Sequence, residues 1–157
     1  MFISKYIDLV HRTEVDLTTA FKKVAKAHGD EVDVYQTCML LSSWSQALAN
    51  DLEKFIDKYK KEKSEDKEPE RLSDTLLKDT RAGDMALLRD LQDLYLIVSE
   101  VEVCCVVLKQ GAAGLHDSEL EDTCIEVERQ SKRQLAWLLT RMKSAAPQTL
   151  IVAETVE

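Results

Sequence analysis

Three glutamates stand on or beside helical stripes that otherwise call for apolar side chains. Glu14 lies in the series Ile3, Ile7, Val10, Glu14, Leu17, Phe21, Val24, with steps of three and four. Glu102 lies in the series Leu87, Leu91, Leu94, Tyr95, Val98, Glu102, Cys105. Glu128 lies at the edge of Leu120, Cys124, Val127, Ser131, Leu135, Leu138, Met142, where Ser131 and Gln134 are its polar companions. The remaining stripe is Val34, Cys38, Leu41, Ser45, Leu48, Leu52, Phe55, Tyr59, and Ser45 is its central polar residue. An enclosed carboxylate must find a partner or give up its charge. Several carboxylates in one layer can hold a hard divalent cation. Alternatively, one can keep its proton and hydrogen-bond to neighbouring hydroxyls and amides. A third option is an ion pair with His11 or with an arginine at the edge. The sequence leaves all three open.

Four long helices must position these residues. They are expected at 3–28, 31–61, 84–110 and 118–146. Gly29 closes the first and Asp30 caps the second. Gly111 and Gly114 break the third, and Ser118 with Glu121 forms a capping box at the start of the fourth. Pro147 stops that helix. Between the second and third helices lies KKEKSEDKEPERLSDTLLKDTRAGD, charged and carrying Pro69 and Gly83. It is read as a solvated crossover over 62–83, with a short helix near 70–78. The tail, 147–157, is apolar and then acidic. It is expected to pack across the bundle or against a second chain. One domain spans the whole of 1–157.

Loop length carries the topology. The first and last connections are tight and make antiparallel hairpins. The middle one has about twenty residues, enough to retrace a helix of roughly 45 Å at 1.5 Å per residue. The expected fold is therefore all-α: a four-helix bundle of two hairpins joined by a long crossover. An up-down-up-down bundle with a disordered loop is the alternative. Under the crossover topology, Glu14, Ser45, Glu102, Glu128 and Ser131 fall at one height. Glu100 lies almost opposite Glu102 and should point away from the centre.

Over nearly its whole helical length the chain resembles the ferritin-like superfamily. LLRDLQDLYL and RMKSAAPQTLIV also look like a group of small, uncharacterised bacterial ferritin-like proteins. The resemblance implies a di-iron site of one Glu from each of two helices and Glu-x-x-His from each of the other two. Glu14 and Glu102 match the single glutamates. The rest departs: Ser45-x-x-Leu48 and Glu128-x-x-Ser131 stand where Glu-x-x-His is required, and the only histidines are His11, His28 and His116. The implied site is thus degenerate, with Glu14, Glu102 and Glu128 as its carboxylates. Such a set would hold iron weakly and suit Mg²⁺ or Mn²⁺ better. A hemerythrin-type centre is excluded.

Composition sets the remaining limits. A net charge of −8 argues against nucleic acid or an anionic membrane as partner. MFISKYIDLV carries Asp8 where a signal peptide needs an apolar run, so a cytoplasmic location is expected. Cys38, Cys105 and Cys124 face inward at different heights and are read as small core residues, reduced and not converging. Trp44 and Trp137 are read as packing residues. Nothing resembles a nucleophile–base pair, a phosphate loop or a cofactor fingerprint, and no cofactor is expected. The third helix is apolar nearly all round between Leu94 and Leu108. The tail, the crossover or a partner subunit must cover its second side, and a homodimer is the expected partner arrangement. Together these features imply a non-enzymatic structural or interaction protein. The alternative is a divergent carboxylate metal-binding protein serving in metal storage or oxidation.

Overall fold

The computed structural model describes residues 1–62 and 65–152. It has four long helices and, among the described residues, no strand. They are α1 (Ile3–Ala27), α2 (Val32–Lys58), α3 (Ala86–Gly114) and α4 (Ser118–Leu150), with one 3₁₀ turn at Lys60–Glu62. The stripes read from the sequence form the core. Ile7, Val10, Leu17, Phe21 and Val24 of α1 meet Leu41, Leu52 and Phe55 of α2, Leu91, Leu94 and Val98 of α3, and Leu120, Val127 and Leu138 of α4 in one cluster. Burial of this 3–4 periodic surface makes each helix stable in place.

Several helix ends differ from expectation. Helix α3 runs through Gly111, because an added Cβ there would lie only 3.3 Å from Ile3 Cδ1. The missing side chain lets α1 and α3 approach closely, which outweighs the low helix propensity of glycine. The cap of α4 is Asp117 rather than Ser118, and its Oδ1 accepts from Leu120 N at 3.1 Å. Glu31, not Asp30, precedes α2, and it makes no side-chain cap. Helix α4 passes Pro147 and ends at Leu150. Near the terminus the proline removes only one helical hydrogen bond, and Ile151 N still donates to the Pro147 carbonyl. The expected short helix near 70–78 is instead a run of turns. Of the tail, 147–150 belongs to α4, and 153–157 lies outside the described residues.

Helix α1 packs on α2 and α3, while α4 packs on α3 and α2. Side-chain pairs give the directions. His28, just past α1, meets Asp90 near the start of α3. Lys58 at the end of α2 meets Asp117 at the start of α4, and Arg141 late in α4 meets Asp33 early in α2. Each of these neighbouring pairs is antiparallel.

The segment between α2 and α3 is tied to two helices rather than left in solvent. Helix α1 supplies donors to its carbonyls: Lys5 to Asp66, Arg12 to Pro69 at 3.3 Å and Lys23 to Lys78 at 3.1 Å. Asp16 of α1 also takes the Arg71 guanidinium. Helix α3 supplies acceptors to its amides. Glu100 receives Leu72 N at 2.5 Å, Ser73 N at 2.9 Å and the Ser73 hydroxyl. Asp93 receives Leu77 N at 3.3 Å, and Asp90 receives Arg81 N at 3.4 Å. Glu100 does lie away from the bundle centre, but the segment covers it, and it is only 7% exposed. Leu77 holds a left-handed φ of 49°, unusual for a branched residue, with its side chain buried in the core.

Asp90 is the most heavily used of these anchors. It is fully buried, and it accepts from the His28 ring at 2.8 Å and the Arg81 guanidinium at 2.9 Å. Asp90→Ala would strand both groups and should cost about 3 kcal/mol. The loss would appear as a lower urea midpoint at an unchanged slope. Glu100→Ala should release the amides of residues 72 and 73 to hydrogen exchange while those of α3 stay protected. A wild-type midpoint for Asp90→Ala would mean that these anchors contribute no stability.

Candidate functional site

Glu14 occupies the middle of α1, fully buried, with neither carboxylate oxygen hydrogen-bonded in good geometry among the described residues. Burial pushes its pKa from 4.5 up to about 8, and the neighbouring Ser45 hydroxyl only partly opposes the rise. Ser45 Oγ is itself engaged, accepting from Gln134 Nε2 at 3.0 Å. The same amide donates to the Leu41 carbonyl at 3.1 Å, which fixes its orientation. At neutral pH Glu14 is therefore mostly a neutral acid, able to donate one hydrogen bond. Gln134 Oε1 and Ser131 Oγ are likewise enclosed and without partners among the described residues.

The sequence-derived candidates divide. Ser45 and Gln134 join directly, and Ser45 stands beside Glu14. Ser131 is fully buried. Glu128 reaches the same neighbourhood, since it and Glu14 both lie close enough to Cys105 to oppose its ionisation. However, Glu128 Oε2 is paired with Lys109 Nζ at 3.0 Å. Glu102 is half-buried, with Oε2 enclosed and unpartnered among the described residues. The expected alternative of a Glu14 ion pair with His11 does not form, because His11 lies 3.9 Å from Glu53 instead. Among the described residues no three of His, Cys, Asp and Glu are grouped so as to hold a metal ion. The donor set explains why: there is no imidazole, one carboxylate is committed to a lysine, and another is uncharged. These residues do not fit the di-iron group that the resemblance implies.

The cysteines are closer than height counting suggested. Cys105 Sγ donates to the Cys124 carbonyl at 3.3 Å across α3 and α4. Hydrogen bonding with the Cys124 side chain first, then burial, then the nearby acids Glu128 and Glu14 raise the Cys105 pKa. Burial first, and Asp33 second, raise that of Cys38 to about 12. These are inert core thiols rather than nucleophiles. Trp44 stacks against the Arg133 guanidinium, 4.3 Å from its ring centroid, joining α2 to α4.

One constellation escaped the sequence reading. His28, Asp90, Arg81 and Asp93 form a chain in which Arg81 also meets Asp93 at 2.8 Å. It borders a cleft of about 390 Å³ at the junction of α1, α3 and the intervening segment. A His–Asp pair can serve as a base and its orienter, but no Ser, Thr or Cys lines this cleft. Both Asp90 oxygens are already used, so the constellation anchors structure. The only sequence signal was two aspartates three apart, Asp90 and Asp93, in the first two turns of α3.

The Glu14 shift sets a pH dependence. Its folded pKa lies above the unfolded value, so the native state binds more protons between pH 4.5 and 8. Stability from this group is complete below pH 4.5 and falls as pH rises through 8, by an amount on the order of 5 kcal/mol at most. Glu14→Gln should remove that decline. Near pH 5 it should match the wild type in urea unfolding, and near pH 8 it should be more stable by about 3 kcal/mol. Parallel stability–pH curves would show that Glu14 is not held neutral. No protein-family model matches this chain, and neither a curated protein nor a solved structure shows significant similarity to it.

Proposed function

We propose that this is a ferritin-like four-helix bundle with a long crossover between α2 and α3. It acts in the cytoplasm as a non-enzymatic structural or interaction protein, and its former metal layer is now a hydrogen-bonded polar core. The topology is supported by the neighbour order of the helices and by the anchors along residues 66–81, which follow α1 upward and α3 in reverse. Among the described residues no helix is long and apolar enough to cross a membrane. One observation carries the functional reading. The central carboxylate, Glu14, is buried and raised to about 8, beside a serine–glutamine pair and without a histidine. Such a group serves as a neutral hydrogen-bonding acid, whereas a hard cation needs anionic ligands.

A second reading, a carboxylate metal-binding protein for storage or oxidation, has one observation in its favour. Glu14, Glu102 Oε2 and Glu128 Oε1 are all enclosed oxygens without partners among the described residues. A cation could draw off the Glu14 proton, and it would have to displace Lys109 from Glu128.

Metal analysis by mass spectrometry separates the two. Protein purified without chelator, re-exposed to Fe²⁺, Mn²⁺ or Zn²⁺ and then desalted, should retain no stoichiometric metal. The double variant Glu14→Leu, Glu102→Gln should fold and be at least as stable as wild type, since a dry layer replaces a polar one. About one or two ions per chain, lost in Glu14→Ala, would overturn the proposal in favour of the metal reading.

A further inference from the structure

Helix α3 has two outward sides, and the segment from α2 covers only one of them. Glu100, Asp93 and Asp90 lie beneath that segment. The adjoining side carries Leu96, Val103 and Val107 at spacings of seven and four, with Val106 beside them, and each is about half or more exposed. Leu72, 87% exposed, projects from the segment next to this line. A groove of about 450 Å³ runs between them, lined by apolar Leu72, Leu76, Leu96, Val103 and Cys104 and also by two serines and Glu100. These five exposed side chains, Leu72, Leu96, Val103, Val106 and Val107, present about 500 Å² of apolar surface, the size of the largest apolar patch on a typical monomer, which is often functional.

We propose that this face binds a second copy of the chain, forming a two-fold dimer in which Leu72 of each copy enters the groove of the other. The proposal names the partner for the interaction reading above and rests on it. Three features favour a second copy. First, the face is nearly free of charge in a chain of net charge −8. Residues 94–108 contain only two charged side chains, Glu100 and Glu102. Glu100 spends its carboxylate on residues 72 and 73, and Glu102 is half-buried. Within 94–108 an acidic partner finds no cation, and a basic one finds only the engaged Glu100 and the half-buried Glu102, whereas a copy offers the same nearly neutral strip. Second, the area suits a dimer: a stable interface takes about 800 Å² from each partner, of which a little over half is apolar. Third, the surface is self-complementary, since one chain provides both the ridge at Leu72 and the groove beside it, as an isologous contact requires.

Sedimentation equilibrium on the full chain tests this. The wild type should be a dimer at micromolar concentration. Raising NaCl should tighten it, because salt screens the repulsion of two like-charged copies. Val103→Glu and Leu96→Lys should each weaken dimerisation by about a hundredfold while leaving the circular dichroism and urea midpoint nearly unchanged. Using both signs of charge removes net charge as the cause. Leu40→Glu, an equally exposed apolar position on α2, should leave the dimer intact. A monomer at all accessible concentrations would overturn the proposal, as would a dimer indifferent to both α3 substitutions. Metal content on the same samples keeps the two proposals apart. A metal-free monomer sinks the dimer alone, and a metal-loaded dimer sinks the polar-core reading alone.

Discussion

A segment of some twenty residues laid across two packed helices brings its own amides and carbonyls into a place with little water. Every one of those groups that is covered must find a partner. Here the two helices divide the task by charge. Basic side chains of α1 reach the segment's carbonyls, and acids of α3 receive its amides. The helices therefore carry Lys5, Asp90 and Asp93 at low exposure, where amphipathic patterning would place apolar residues. The path of the segment serves this demand, and at the left-handed Leu77 the backbone amide reaches Asp93.

The same rule separates two kinds of buried acid in this fold. Asp90 sits among a guanidinium, an imidazole and an amide, and Asp117 among Lys58, Tyr59 and Leu120 N. Burial alone would raise the Asp117 pKa, but those three donors outweigh it and hold the value near 2. At Glu14 the Ser45 hydroxyl is the one group among the described residues that opposes the rise, and burial prevails. Asp90 and Asp117 are hydrogen-bonded anchors near helix ends, and Glu14 is a neutral member of the core. Residue type alone does not distinguish them; the supply of donors within a few ångströms does.

The sequence makes the four stripes and the polar layer legible because burial imposes the 3–4 repeat directly on residue type. Ser45 and Gln134 bonded together, with Glu14 beside them, is the arrangement that the stripe positions imply. The ends of α3 and α4 were not legible. Gly111 and Pro147 are breakers by propensity, yet a close approach to Ile3 and a position in the last turn reverse their local meaning. Nor could counting heights along helices resolve a single turn, which is the difference between Cys105 missing Cys124 and touching it. The anchors of the long segment lay furthest from reach. Arg81 pairs with Asp90 nine residues on, but Lys5 meets a carbonyl sixty-one residues away, and only the folded path brings them together. The apolar circumference of α3 did announce a second cover. The segment provides part of it and leaves the strip at Leu96 and Val103 uncovered.

An acid that costs stability at neutral pH needs a physical reason to persist in a core. The polar layer supplies one in its connectivity. Gln134 of α4 holds Ser45 and the Leu41 carbonyl of α2, and Ser45 stands against Glu14 of α1. Three helices are thereby set at one relative height. Apolar packing alone tolerates a slip of one turn, because a 3–4 stripe presents nearly the same surface after such a shift. A lone polar contact does not, since the slip would strand a buried carboxyl, amide and hydroxyl together. Stability and register thus pull in opposite directions at Glu14. A leucine there would make a drier core, but the core would be less firmly committed to one alignment. Keeping the carboxyl neutral lowers the cost of that commitment, and the position of Ser45 between Glu14 and Gln134 makes a neutral carboxyl sufficient.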